Sequence, residues 1–208
     1  MVKRKPRDWS HFALLLVDVQ RSFWPVGGRP DFPDFPANVE RLLALCRTEG
    51  LEVIHVRSRF KPDKSDWMLM YRLRVPVSHH PCVAGQEGEE PASFAAEESG
   101  EVVIFKQTFD AFHTPNLVPY LRENDKRVLL VAGLLTSICV LFTAASAAQL
   151  GFLAAVVEDC CADDPKKHER TLDEYQFMFD RTTTDAIRKQ HSNWLAALAE
   201  LDRHGVFA

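Results

Sequence analysis

Short apolar runs alternate with amphipathic segments along almost the whole chain, and few architectures accept that alternation. Residues 13–19 (ALLLVDV), 52–57 (EVIHVR), 102–106 (VVIFK), 127–132 (RVLLVA) and 152–157 (FLAAVV) are short, bounded and nearly continuous in apolar character. Such runs predict strands buried on both faces, as in a parallel sheet with helices above and below. The segments between them carry helical spacing. Val39, Leu42, Leu43 and Cys46 share one helical face, and Gly50 stands where that helix would stop. Residues 115–123 and 165–179 each open with proline, which suits a first helical turn. Residues 136–150 are apolar almost all round and close on Gly151, so that helix should lie buried against the sheet or a subunit partner. A last helix over 185–203 places Ile187, Trp194, Leu195 and Leu198 on one side, and a faintly marked edge strand falls at 181–183. The pattern is that of an α/β protein.

A length of 208 residues suits one domain with a sizeable core, so residues 1–208 are read as a single domain with a basic tail over 1–10. The net charge of -4 argues against a nucleic-acid-binding face. The run Lys3-Arg4-Lys5-Pro6-Arg7 reads as a solvated tail. The apolar stretch behind it is short, carries Asp18 and has no small-residue cleavage site, so no secretion signal is expected. No stretch approaches the roughly 18 apolar residues of a membrane span. Five cysteines, Cys46, Cys82, Cys139, Cys160 and Cys161, form no CxxC pair and no disulfide-like framework. A reducing, cytoplasmic setting is the expectation.

In parallel α/β sheets ligands bind beyond the carboxyl ends of the strands. Three chemically active residues stand at such ends. Asp18 closes the first strand, where an isolated carboxylate must be paired or hydrogen-bonded, unless it caps a helix or reaches the surface. Lys106 closes the third, as a functional cation or a solvated terminus. Cys139 lies near the start of the helix after the fourth, where free N–H groups and the helix dipole favour a thiolate; alone it would pass for a buried apolar cysteine. Together they form a coherent set. A carboxylate can take the thiol proton, an ammonium can favour the thiolate, and a helix start can offer an oxyanion hole.

These segments also resemble a known family. ALLLVDVQRSFW, with Gln20 two residues after Asp18, is similar to the opening strand of the isochorismatase-like cysteine hydrolases. VVIFKQTFDAF resembles their lysine segment, and GLLTSICVLFTAASAAQLGF their nucleophile segment. The likeness runs from about residue 12 to 185, with the motifs in the family's order. It implies a doubly wound, six-stranded, mostly parallel sheet, with Asp18 as general base, Cys139 as nucleophile and Lys106 as cationic partner. It further implies a cis peptide between Leu134 and Leu135, and an oxyanion hole from the backbone N–H groups of Leu135 and Cys139. The implied activity is hydrolysis of an amide or ureido (carbamoyl) C–N bond through a thioester, in a homo-oligomer, dimer or tetramer.

Departures from the family narrow the reading. The nicotinamidase branch holds a metal with Asp-x-His after the second strand; here that place reads His55-Val56-Arg57-Ser58-Arg59, so neither metal nor cofactor is expected. The adjacent His79 and His80 read as a surface loop. Isochorismatases proper cleave a vinyl ether without the cysteine, so retaining Cys139 favours acyl transfer. Substrate contacts are the least marked. Arg57 and Arg59 offer bidentate clamps for a substrate carboxylate, with Trp67 and Tyr71 beside them. Phe23 and Trp24 suit the walls of a small pocket, and His113 follows the lysine segment in FDAFHTP. Each of these is as ordinary on a surface or in packing. Residues 59–98, long and charged, have the character of a lid or binding loop. Two other classes stay open: a catalytically silent binding or assembly module, which would lack a reactive thiol, and a redox sensor pairing Cys160 and Cys161 with Cys139.

Overall fold

A computed structural model describes residues 8–205 of the chain; the basic run at residues 3–7 lies outside the described residues. Six strands, β1 (Phe12–Val17), β2 (Glu52–Ser58), β3 (Val102–Lys106), β4 (Val128–Leu134), β5 (Leu153–Ala162) and β6 (Asp180–Thr182), form one sheet in the order β3-β2-β1-β4-β5-β6. Every pairing in it is parallel, where a mostly parallel sheet was expected. Strand β1 sits second from neither edge but at the centre of the pairing scheme, between β2 and β4, and all six of its residues are buried. This is why its sequence reads FALLLV without alternation.

The helices divide between the two faces. Phe12, Leu14 and Leu16 of β1 face the helices α1 (Phe35–Glu49) and α6 (Ile187–Arg203), through Val39, Leu42, Trp194 and Leu198. Ala13, Leu15 and Val17 face α3 (Leu117–Glu123), α4 (Leu141–Gln149) and α5 (Pro165–Glu174), through Leu121, Ala144 and Leu172. Alternate residues of one strand thus feed two separate cores. Helix α1 stops where the sequence marked it. Gly50 takes φ 72°, and the Leu51 amide closes on the Cys46 carbonyl at 2.9 Å.

Several boundaries differ for physical reasons. β5 runs on past residue 157 because its polar residues find partners: Glu158 pairs with Arg181, and Asp159 accepts from the Thr184 amide. The predicted helix over 136–150 begins instead with a π-helical turn, Thr136–Val140, in which the Leu135 carbonyl accepts from the amide of Val140. α5 ends at Glu174, and the chain then turns to lay β6 beside β5. The segment 59–98 carries helix α2 (Leu69–Arg74) and a small core of its own, Phe60, Trp67, Cys82 and Val83. An isolated bridge from Gln20 to Pro91 ties it to the rest, and a second, Phe60 to Val83, closes within the segment. No helix among the described residues is long and apolar enough to cross a membrane.

Candidate active site

Strand order reverses between β1 and β4: the chain leaves β1 toward β2 and β3 on one side, and returns to build β4, β5 and β6 on the other. A crevice opens at the carboxyl ends of strands at such a point. The register brings four strand ends level there. Val17 lies beside Val56 and Gly133, and Ser58 beside Lys106. Gly133 permits this closeness. At φ 126°, a Cβ there would meet the Val17 carbonyl oxygen at 1.9 Å.

Asp18 is fully buried and turns out of β1 with a left-handed backbone (φ 54°). Its amide still bonds to the Val56 carbonyl at 2.8 Å, so the side chain swings toward the ends of β2 and β3. There its Oδ2 accepts from Lys106 Nζ at 2.6 Å, and its Oδ1 accepts from both the amide and the hydroxyl of Ser58 at 2.9 Å. Lys106, 1% exposed, also donates to Ser58 Oγ at 3.0 Å and to the Thr108 carbonyl at 2.9 Å. An ammonium has three N–H donors, so these oxygens occupy them all. Cys139 Sγ, 3.7 Å from Nζ, is held beside the charge.

The structure therefore brings Asp18, Lys106 and Cys139 together. Burial opposes the charge on Lys106, yet the Asp18 carboxylate and the sulfur outweigh it and raise its pKa. Burial pushes the Cys139 thiol well up, and the Asp18 charge pushes the same way, against the pull of Lys106. Burial and Asp18 thus work against the thiolate that a helix start and a lysine favour, because the ammonium is already engaged by the carboxylate. The peptide between Leu134 and Leu135 is cis, at the position implied by the resemblance. The Leu135 carbonyl accepts from Ile138 and Val140, the residues either side of Cys139.

A cavity of about 280 Å³ opens onto this group. Ser58, Lys106, Leu135 and Cys139 form one wall; Phe23, Phe60 and Tyr71 are among the residues of the rest. Of the predicted substrate contacts, Phe23 and Tyr71 line it. The others are corrected. Trp24 stacks on Phe35 at 4.7 Å, as a packing anchor. Arg57 points to the other side of β2, buried against Glu97. Arg59 pairs with Glu89 and covers the ring of Phe105. Trp67 is buried behind the wall, its indole N–H donating to the Lys61 carbonyl at 2.8 Å. His113 is exposed and lines a separate surface hollow with Asp110 and Ser146. His79 and His80, read as surface loop, both reach the cavity, and His80 is buried.

Ser58 and Gln20 complete the setting. Gln20 Oε1 accepts from the Ser58 amide at 2.8 Å, while its Nε2 donates to the carbonyls of Ser58 and Glu89. Gln20 thereby ties the end of β2 to the capping segment 59–98. Ser58 went unread because the second strand was ended one residue early; the rule that picked out Asp18 and Lys106 applies to it equally. Among the described residues no group of three His, Cys, Asp or Glu side chains is placed to hold a metal ion. Cys160 and Cys161 send their sulfurs to opposite faces of β5, into different cores, and Cys160 contacts the Thr184 hydroxyl. All five cysteines are free.

A model of the isochorismatase domain matches residues 12–187. The chain is 32% identical to the maleamate amidohydrolase of Pseudomonas putida over 191 residues, covering 86% of this chain and 83% of that enzyme. It is 27% identical to the ureidoacrylate amidohydrolase of Variovorax paradoxus, covering 72% of this chain and 68% of that one. A crystal structure of an isochorismatase family protein from Desulfovibrio vulgaris superposes with a TM-score of 0.78 at 28% identity, over 86% of this chain and 97% of the other.

Proposed function

The chain belongs to the isochorismatase family, and from that premise we propose that it is an amidohydrolase that cleaves a non-peptide amide or ureido C–N bond of a small molecule, with Cys139 as nucleophile. The observation that carries this reading is the buried contact group. Lys106 Nζ stands 2.6 Å from Asp18 Oδ2 and 3.7 Å from Cys139 Sγ, on the wall of a cavity sized for a small substrate.

The chemistry follows from the resting charges. Burial and the Asp18 charge favour the Cys139 thiol over its thiolate, so in this reading its proton passes to Asp18 as the sulfur attacks the substrate carbonyl carbon and the S–C bond forms. The carbonyl π electrons move onto oxygen, and the N–H groups of Leu135 and Cys139 hold that oxyanion. Collapse of the tetrahedral intermediate breaks the C–N bond, and Asp18 returns the proton to the departing nitrogen. The products of this half are ammonia or an amine and a thioester. Asp18 then takes a proton from water as the water oxygen attacks the thioester. Collapse breaks the C–S bond, the sulfur recovers the proton, and a carboxylic acid leaves, or a carbamic acid where the substrate is a ureide. Lys106 remains an ammonium throughout, and its charge offsets that of Asp18 or of the forming thiolate.

The test is ammonia release from small amides, carbamoyl and ureido acids, with wild type beside Cys139→Ala. Release by wild type and loss of at least about a thousandfold in the variant is the expected result, since the nucleophile carries most of such a rate enhancement. Normal turnover by Cys139→Ala would remove the cysteine from the mechanism.

A further inference from the structure

Helix α2 lies in the capping segment with five of its six residues exposed, among them Leu69, Met70 and Leu73. Tyr71 is the exception: it is half-buried and lines the active-site cavity. Its ring stands edge-on between two other residues of that wall, 5.3 Å from His80 and 6.2 Å from Phe109 between centroids. The helix that carries it is tied down. Lys64 Nζ donates to the Val75 carbonyl at 2.8 Å, and the Arg72 guanidinium donates to the carbonyls of Lys64 and Ser65 at 2.9 and 2.6 Å. Yet the Tyr71 hydroxyl has no hydrogen-bond partner among the described residues. Nor is its oxygen one of the sealed polar atoms without a partner, so it opens on accessible space. An apolar ring fixed in a pocket wall thus presents a polar tip that the protein itself does not use.

The donors of the other polar side chains in the wall are spent, with one exception. Lys106 gives its N–H groups to Asp18, Ser58 and Thr108, and the Ser58 hydroxyl donates to Asp18. The Thr108 hydroxyl donates to the Asp110 carbonyl at 2.8 Å. His80 Nδ1 lies 2.9 Å from the Pro81 carbonyl oxygen, and its Nε2 is sealed. The exception is His79, an exposed residue whose Nδ1 contacts the Ser78 hydroxyl while its other ring nitrogen is unengaged. Phe23, Phe60, Met68, Val75 and Phe109 make much of the remaining wall apolar.

We infer that Tyr71 determines substrate specificity, its hydroxyl donating a hydrogen bond to a neutral acceptor on the substrate beyond the scissile group. The inference rests on the amidohydrolase reading and deepens it. It selects small, uncharged amides that carry a second carbonyl or a ring nitrogen, in preference to amides that carry a carboxylate at the same place. A carboxylate taken out of water needs a charged partner as well as hydrogen bonds. Among the described residues that line the cavity Lys106 is the one full cation, and its N–H groups are taken. Arg57 and Arg59, the nearest arginines in sequence to Ser58, are paired with Glu97 and Glu89. A single neutral O–H suits a neutral acceptor and does not offset the desolvation of an anion.

Three probes separate the alternatives. Methyl succinamate presents an ester carbonyl, hexanamide has the same chain length without it, and succinamate ends in an anion. The hydroxyl bonds to nothing in the protein, so Tyr71→Phe keeps the ring packing and should melt at the wild-type midpoint. A lowered midpoint would mean that the protein already uses this hydroxyl, and overturns the inference. In Tyr71→Phe, kcat/KM for ammonia release from methyl succinamate should fall about tenfold, chiefly through KM, the worth of one good neutral hydrogen bond. For hexanamide the fall should stay under about twofold, because no hydrogen bond is lost. Equal falls, no fall with either, or a wild-type preference for succinamate over methyl succinamate overturn the inference. So does a selective fall seen in His79→Ala and absent from Tyr71→Phe. Calorimetric binding to Cys139→Ala, which needs no turnover, gives the second reading. Adding Tyr71→Phe to that variant should weaken methyl succinamate about tenfold and leave hexanamide unaffected. No binding of methyl succinamate, or no selective weakening, overturns the recognition role even where ammonia release is normal. Selective weakening without ammonia release by wild type upholds it and counts instead against the amidohydrolase reading.

Discussion

Replacing Lys106 by Met keeps the length of the side chain and removes its charge. The structure then leaves Asp18 with no solvent exposure and only the two Ser58 donors, and strips a donor from the Thr108 carbonyl and from the Ser58 hydroxyl. Breaking a buried ion pair from one side destabilises by about 3–5 kcal/mol, because the remaining charge is unpaired. For a chain of this length each kcal/mol is roughly 2–4 °C of midpoint temperature, so the fall should be on the order of 10 °C. The Lys106 pKa is raised, so its contribution is complete below the ordinary value of 10.5 and is lost only as the pH climbs through the higher folded value. Urea unfolding at pH 7 is the assay, applied to Lys106→Met, Asp18→Asn and the double variant. Asn at 18 can still accept from Ser58 but carries no charge to strand. The double variant should therefore be more stable than Lys106→Met alone, with a coupling of about 2 kcal/mol or more. Losses that simply add, or a loss under about 1 kcal/mol for Lys106→Met, would refute the claim that this ion pair organises the site.

Two further outcomes concern the scaffold. Gly133→Ala should destabilise by about 3 kcal/mol or more, from backbone strain at positive φ and a Cβ driven into Val17, and thermal melting of the soluble fraction would show it; a wild-type midpoint would mean that β1 and β4 can part at little cost. Burial works to raise the carboxyl of Glu101, but hydrogen bonds from Arg47, the Glu98 amide and His55 hold it at about 2. Its contribution is thus present above pH 4.5 and lost as the pH falls from there toward 2. Glu101→Gln should melt below wild type at pH 6, with the gap narrowing by pH 3 and closing only as the pH falls through about 2; a gap that does not narrow between pH 6 and pH 3 would assign the effect to packing.

Local order was legible in the chain because burial leaves a periodic trace. Continuous apolar runs marked the parallel strands, Gly50 marked the end of α1, and charged residues closing β1 and β3 stood out against their surroundings. The three triad candidates could be named from that trace because each terminates an apolar element at the edge where such sheets bind ligands. What lies across the cavity left no trace. His80 reads as one of two loop histidines until segment 59–98 folds over the sheet and buries its ring among Phe60, Trp67 and Tyr71. Arg57 and Arg59 are neighbours of Ser58 in sequence, yet strand alternation and surface pairing send them to Glu97 and Glu89 while Ser58 faces Asp18. The charge state of Cys139 was equally out of reach. A helix start and a nearby lysine argue for a thiolate, but Asp18 already occupies that lysine, and burial together with the Asp18 charge pushes the thiol pKa up instead. Sequence alone determined the elements and the chemical types at their ends, because local burial and propensity act along the chain. Tertiary structure decided which side chains meet and which proton sits where, because pairing and desolvation depend on atoms far apart in sequence.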